Sequence, residues 1–192
     1  MRAFIAVDLP LACQQAVGTL QATLRQSLDP LPCAITWVQP TYTHLTLRFF
    51  ADLPDDRVTH VHEAMTAATA RSAPFELSLG RLGMFPDEGR PTVLWLGCAA
   101  GEQKMCQFEA MLSKELASRG WPAEERAFHP HLTLGRVKRR GPPNVLRKAL
   151  ATYQPAGGTV QLAVDHVTLI QSVLGAAGPH YTPLVQSHLI QQ

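Results

Sequence analysis

The 192-residue sequence has no apolar run approaching the ~18 residues that a membrane-spanning helix requires. Its opening segment lacks the charged-then-apolar layout of a secretory signal, because Asp8 interrupts it early. Cysteine is scarce. Cys13, Cys33, Cys98 and Cys106 form no C-x-x-C pair, and no His/Cys cluster has zinc-ligand spacing. They read as reduced packing residues of a cytoplasmic protein. Strong net charge is also missing. At +2 overall, with 17% charged residues, the chain can meet a nucleic acid only through a local basic patch. No Ser/Gly-rich or charged linker divides it. At 46% hydrophobic, a chain this long buries a core without staples. No metal, cofactor, membrane or obligate protein partner is expected.

What is present is a duplicated pattern. Residues 2–8 alternate, with Ala3, Ile5 and Val7 on one face of a strand. Residues 9–28 shift to helical spacing through Cys13, Val17, Leu20, Leu24 and Leu28. Strands follow at 33–38 and 43–50, then a helix carrying Val58, Val61, Met65 and Ala68, then a strand at 75–79. The second half repeats that β-α-β-β-α-β order. It has a strand at 92–98 and a helix with Met105, Phe108, Leu112 and Leu116. A weak strand at 123–128, a strand at 131–138, a helix at 145–151 and a strand from 160 on through 169 complete it. The expected class is α+β, with two pseudo-twofold related ferredoxin-like lobes whose antiparallel sheets face a central cleft. Residues 1–192 are expected to form one bilobal domain. Its internal repeat covers roughly 2–82 and 91–172, a C-terminal strand lies at 181–190, and terminal strands cross over to complete a sheet.

The tetrapeptide His-Leu-Thr-Leu occurs at 44–47 and again at 131–134, 87 residues apart and at the same place in the repeat. On a strand, His44 and Thr46 point one way while Leu45 and Leu47 point the other, and likewise for His131 and Thr133. The leucines can bury against helices. Two imidazoles and two hydroxyls are then left to meet across a cleft. That set suits phosphodiester chemistry. One neutral imidazole removes a proton, one imidazolium donates a proton, and hydroxyls donate to phosphoryl oxygens as charge builds there. A single His-x-Thr is commonly just a half-exposed strand position; the paired copies in register argue for more.

With these residues the chain resembles the 2H phosphoesterase superfamily, and within it the bacterial and archaeal RNA 2',3'-cyclic phosphodiesterases, historically called 2'-5' RNA ligases. The resemblance runs through 2–7, Trp37-Val38, 44–50, 92–97, 128–136, and 169–172 with Gly178 and Tyr181. It implies that His44 is the proton donor and His131 the acceptor. Thr46, Thr133 and Arg136 would bind phosphate, and the product would be a 2'-phosphate. It also implies an RNA partner ending in a 2',3'-cyclic phosphate. Alternatives are a 2'-5' RNA ligase joining tRNA-like halves, a phosphoesterase for small cyclic nucleotides, and an RNA-end-binding module without turnover. Gly135 departs from the alanine more usual there.

Simple alternation puts Arg136 on the leucine face, unless the strand bulges near Gly135. The same alternation gives Arg48 the parity of His44 and Thr46. Lys138, Arg139 and Arg140, with Arg147 and Lys148, form the densest basic stretch, either an RNA backbone track or a solvated face. Tyr42, Phe49, Phe50, Phe128 and Tyr181 are candidates to stack on a base or to serve as wall and core. His129 and His131 form H-x-H, as do His60 and His62, but no third ligand stands at suitable spacing.

Overall fold

The computed structural model describes residues 1–29, 31, 34–139, 143–153, 158–175 and 178–190, without the side chains of Arg139, Pro143 and Thr152. Cys33 and Arg140 lie outside the described residues. Within these residues stand nine strands and four α-helices. They are β1 (Ala3–Asp8), α1 (Leu11–Leu28), β2 (Ala34–Trp37), β3 (His44–Phe50), α2 (Val58–Thr69), β4 (Phe75–Phe85), β5 (Val93–Ala100), α3 (Glu102–Ser118), β6 (His131–Arg139), α4 (Pro143–Thr152), β7 (Val160–Val164), β8 (His166–Gly175) and β9 (Gly178–His188). No helix among the described residues is long and apolar enough to cross a membrane.

The strands join into one sheet rather than two, in the order β7-β4-β5-β6-β3-β1-β8-β9, with β2 on the edge of β6. The sheet is antiparallel and strongly curled, towards a half barrel. The order is nearly palindromic. The seam is β6·β3, where Leu132 pairs with Leu45. On either side stands the first strand of each half, β5 or β1, and then a strand donated by the other half, β4 or β8. The expected crossover of strands is therefore present.

Two expectations need correction. Residues 123–128 form no strand: their counterpart β2 pairs with β6, but at the matching stretch of β3 the Arg48 side chain spans to Pro122 and Glu124 in place of a backbone ladder. The strand expected from 160 through 169 breaks at Asp165 into β7 and β8, which pair at opposite ends of the sheet.

One main core serves the whole molecule. The helices bury apolar faces into it, Cys13, Val17, Leu24 and Leu28 on α1 and Met105, Phe108, Leu112 and Leu116 on α3. All four motif leucines, Leu45, Leu47, Leu132 and Leu134, belong to that core. Alternation then leaves His44, Thr46, His131 and Thr133 on the opposite face, each half-buried. Of the free cysteines, Cys13 and Cys98 pack in the core and Cys106 is half-buried.

Candidate active site

Each motif contains a bulge at its final leucine. Between β1 and β3, Ala6 pairs with Thr46 and Ile5 with Arg48, so Leu47 has no partner. Between β5 and β6, Trp95 pairs with Thr133 and Leu94 with Gly135, so Leu134 has none. An extra residue on one strand reverses the alternation beyond it. The two strands consequently share one burial sequence, with Arg48 and Gly135 buried and Phe49 and Arg136 exposed on the histidine face. Arg136 thus comes to the histidine face through this bulge. Arg48 is the correction: it points to the core side, donates from Nη2 to the Pro122 carbonyl and pairs through Nε with Glu124 at 3.6 Å. In the second bulge the Leu134 carbonyl accepts from Val38 N–H at 2.9 Å and Gln21 Nε2 at 2.9 Å.

The seam fixes how the motifs face each other. Continuing the antiparallel register from Leu45 and Leu132 sets His44 beside Thr133 and Thr46 beside His131. Each imidazole is oriented in the same way. His44 Nδ1 lies 3.0 Å from the Tyr42 carbonyl, and His131 Nδ1 lies 2.7 Å from the His129 carbonyl. A carbonyl only accepts, so the proton of each neutral ring sits on Nδ1. Each Nε2 is left with a lone pair, ready to take a proton or, once charged, to give one.

Their surroundings differ. His44 stacks on Phe4 at 4.3 Å and 18°, with Tyr181 edge-on at 5.4 Å. His131 meets the edge of Phe85 at 5.0 Å, and Trp95 lies 6.3 Å away. Burial lowers the His44 pKa to about 4, against the raising effects of the Tyr42 carbonyl and Asp8 and with a smaller lowering from His131. Burial also lowers that of His131, opposed by the His129 carbonyl and assisted by the His129 ring. A cleft of about 1200 Å³ opens from Thr46 and His131 towards α3, lined in part by Phe49, Phe85, Lys114, Arg126, Phe128 and His129.

The other expected residues divide. Tyr181 walls the site, edge-on to Phe4, Tyr42 and His44. Phe50 is core. Lys138 is exposed two residues beyond Arg136, and the side chains of Arg139 and Arg140 fall outside the description. Arg147 donates to the Pro86 carbonyl at 2.7 Å and ties α4 to the β4–β5 loop. Among the described residues no three His, Cys, Asp or Glu side chains are grouped to hold a metal ion. The sequence reading passed over Phe4, Asp8, Phe85 and Trp95. The first two were signalled by alternation along β1, which puts Phe4, Ala6 and Asp8 on the face opposite the core residues Ala3, Ile5 and Val7.

A curled antiparallel sheet with one His-x-Thr on each side of its seam defines the 2H phosphoesterases. Within that class the chain belongs to the 2'-5' RNA ligase superfamily, whose family model matches residues 38–176. It is 32% identical over 187 residues to the RNA 2',3'-cyclic phosphodiesterase of Methanothermobacter thermautotrophicus, spanning 96% of both chains. Its fold is similar to a crystal structure from Thermus thermophilus, with a TM-score of 0.78 at 26% identity over 98% of both chains. It is also similar to Escherichia coli LigT complexed with 3'-AMP, with a TM-score of 0.76 at 28% identity over 99% of this chain and 98% of the other.

Proposed function

We propose that this protein hydrolyses 2',3'-cyclic phosphodiester ends of RNA to 2'-phosphomonoesters by acid–base catalysis between His44 and His131. The observation that carries this reading is the matched tethering of both Nδ1 atoms to backbone carbonyls, which leaves two Nε2 atoms across the seam. In the free protein, burial favours the neutral form of both rings. The negative charge of a phosphodiester between them favours protonation of one. His131 Nε2 then takes a proton from water as its oxygen bonds to phosphorus. His44 Nε2–H delivers a proton to the departing 3' oxygen, so one P–O bond forms and one breaks with no net change in protons. Thr46, Thr133 and Arg136 donate to the non-bridging oxygens while the phosphorus is pentacoordinate. The relatives' activity and the cleft beside Thr46 and His131 support an RNA substrate. The same reading takes residues 1–192 as one bilobal domain built by duplication, its halves related about the β6·β3 seam.

The test is a short RNA ending in a 2',3'-cyclic phosphate, incubated with EDTA. Wild type converts it to the 2'-phosphate. His44→Ala and His131→Ala each lose about a thousandfold or more in kcat/KM, and the double variant loses little further, because the two groups act as a unit. Full activity in either single variant sinks the mechanism. Joining to an added 5'-hydroxyl RNA in preference to hydrolysis would favour the ligase alternative.

A further inference from the structure

The two motifs are the same tetrapeptide with the same bulge and the same Nδ1 tether, so nothing within them distinguishes donor from acceptor. The distinction lies on the opposite strands. Asp8 of β1 pairs directly with His44, and the residue in the same place opposite His131 is Gly97 of β5. Directly opposed residues on neighbouring strands share a face and lie close enough to interact. The room a side chain at 97 would use is taken by the Trp95 ring, which would lie within 2.8 Å of a Cβ there. One imidazole therefore has a carboxylate across from it, and the other has an indole.

We propose that Asp8 is a positioning residue that favours the imidazolium at His44, offsetting part of what burial takes away, and so biases that ring towards the donor role. The inference rests on the two-histidine reaction proposed above. Asp8 is itself held in place. Thr168 Oγ1 of β8 donates to its Oδ2 at 2.5 Å, and Gln186 of β9 stands behind that hydroxyl at 3.5 Å. His166 Nε2 lies 3.7 Å from the same oxygen, with its Nδ1 donating to Asp165 at 2.6 Å. The titratable and charged groups around His44 are few. Asp8 faces it from β1, His131 from β6, Tyr181 from β9 and Tyr42 from the turn before β3, while Arg136 and Arg2 act on Tyr181. Of these, only Asp8 brings negative charge at neutral pH, and it favours the imidazolium at His44. The nearest titratable neighbour of His131 is His129, which disfavours it. The Asp8 side chain keeps 41% of its exposure, so solvent screens the interaction and the effect is moderate.

Asp8→Asn removes the charge but keeps an oxygen to accept from Thr168. In protein saturated with sulfate, which supplies constant negative charge at the site, imidazole titrations are followed by NMR. The expected result is a His44 pKa lower by roughly half a unit to one unit, with His131 unmoved. On the cyclic-phosphate RNA, kcat falls about three- to tenfold near neutral pH, since less His44 carries its proton. Asp8→Glu restores most of both. An active wild type whose His44 titration ignores Asp8→Asn, or a shift at His131 instead, overturns the proposal alone. A wild type that does not hydrolyse the RNA overturns the reaction, and the donor role with it, whatever the titrations show.

Discussion

Opposite the first motif stand Phe4, Ala6 and Asp8; opposite the second, in the same register, stand Val93, Trp95 and Gly97. Beyond the bulges the halves diverge again, with Phe49 on the first strand where the second has Arg136. Phe49 lies under the Arg2 guanidinium at 5.4 Å and is 43% exposed. The backbone device is the same in both halves: strand, bulge and carbonyl tether. The neighbours are not. A symmetrical frame presents two equivalent nitrogens, and the partner strands give them different charge and different company. Comparing variants at matched positions therefore reports on chemistry more directly than comparing either half with an unrelated site.

The largest difference to test is the degree of burial of the two rings. A histidine whose folded pKa lies near 4, below the ordinary 6.5, is protonated first in the unfolded chain. The unfolded state then binds more protons between those values, so stability rises with pH there and is lost as pH falls through that window. For His44 the full loss amounts to about 3 kcal/mol. Denaturant titrations from pH 7 down to 4 should show His44→Asn flattening this slope, and His131→Asn flattening it less. Equal flattening would remove the asymmetry in burial.

The next effect contrasts Arg136 with Phe49. Arg136→Ala removes a cation from the histidine face and should lower kcat/KM by about ten- to a hundredfold, mainly through kcat. Phe49→Ala should raise KM for RNA and leave kcat nearly intact, because an aromatic face acts on bound and reacting substrate alike. If both variants lose kcat equally, the two positions are doing the same job and the contrast fails.

How far the sequence foretold this site follows the same boundary. Alternation correctly separated the motif leucines from His44, Thr46, His131 and Thr133, since period-two patterning needs only local geometry. It failed at Arg48 and left Arg136 conditional, because Leu47 and Leu134 look like ordinary strand leucines. Phe85 and Trp95 were invisible for a different reason. Their place beside the rings depends on strand register and on a strand donated from the other half, which are long-range facts. The expected strand at 123–128 failed because the place of a ladder beside β3 is taken by the Arg48 side chain, which bonds Pro122 and Glu124, whereas its counterpart β2 pairs with β6.

That difference between the two edges sets the smallest prediction. Arg48 and Gly135 occupy the same place in the two motifs, directly after the bulge. At 135 the β2 backbone pairs closely, Trp37 with Gly135, and a Cβ there would come within 2.6 Å of Ile35 Cγ2 and 3.3 Å of the Thr36 carbonyl. At 48 no strand among the described residues pairs on that side, and the arginine spans the gap to Pro122 and Glu124. Gly135→Ala should therefore destabilise the protein by about 1 kcal/mol, since Ile35 is half-buried and can turn aside but the Thr36 carbonyl is backbone. Ile35→Val removes a methyl group near the new Cβ, so the double variant should recover part of the loss in denaturant midpoint. An unchanged midpoint in Gly135→Ala would mean that glycine is not what admits β2. The difference between a paired and an unpaired strand edge would then have to come from β2 itself.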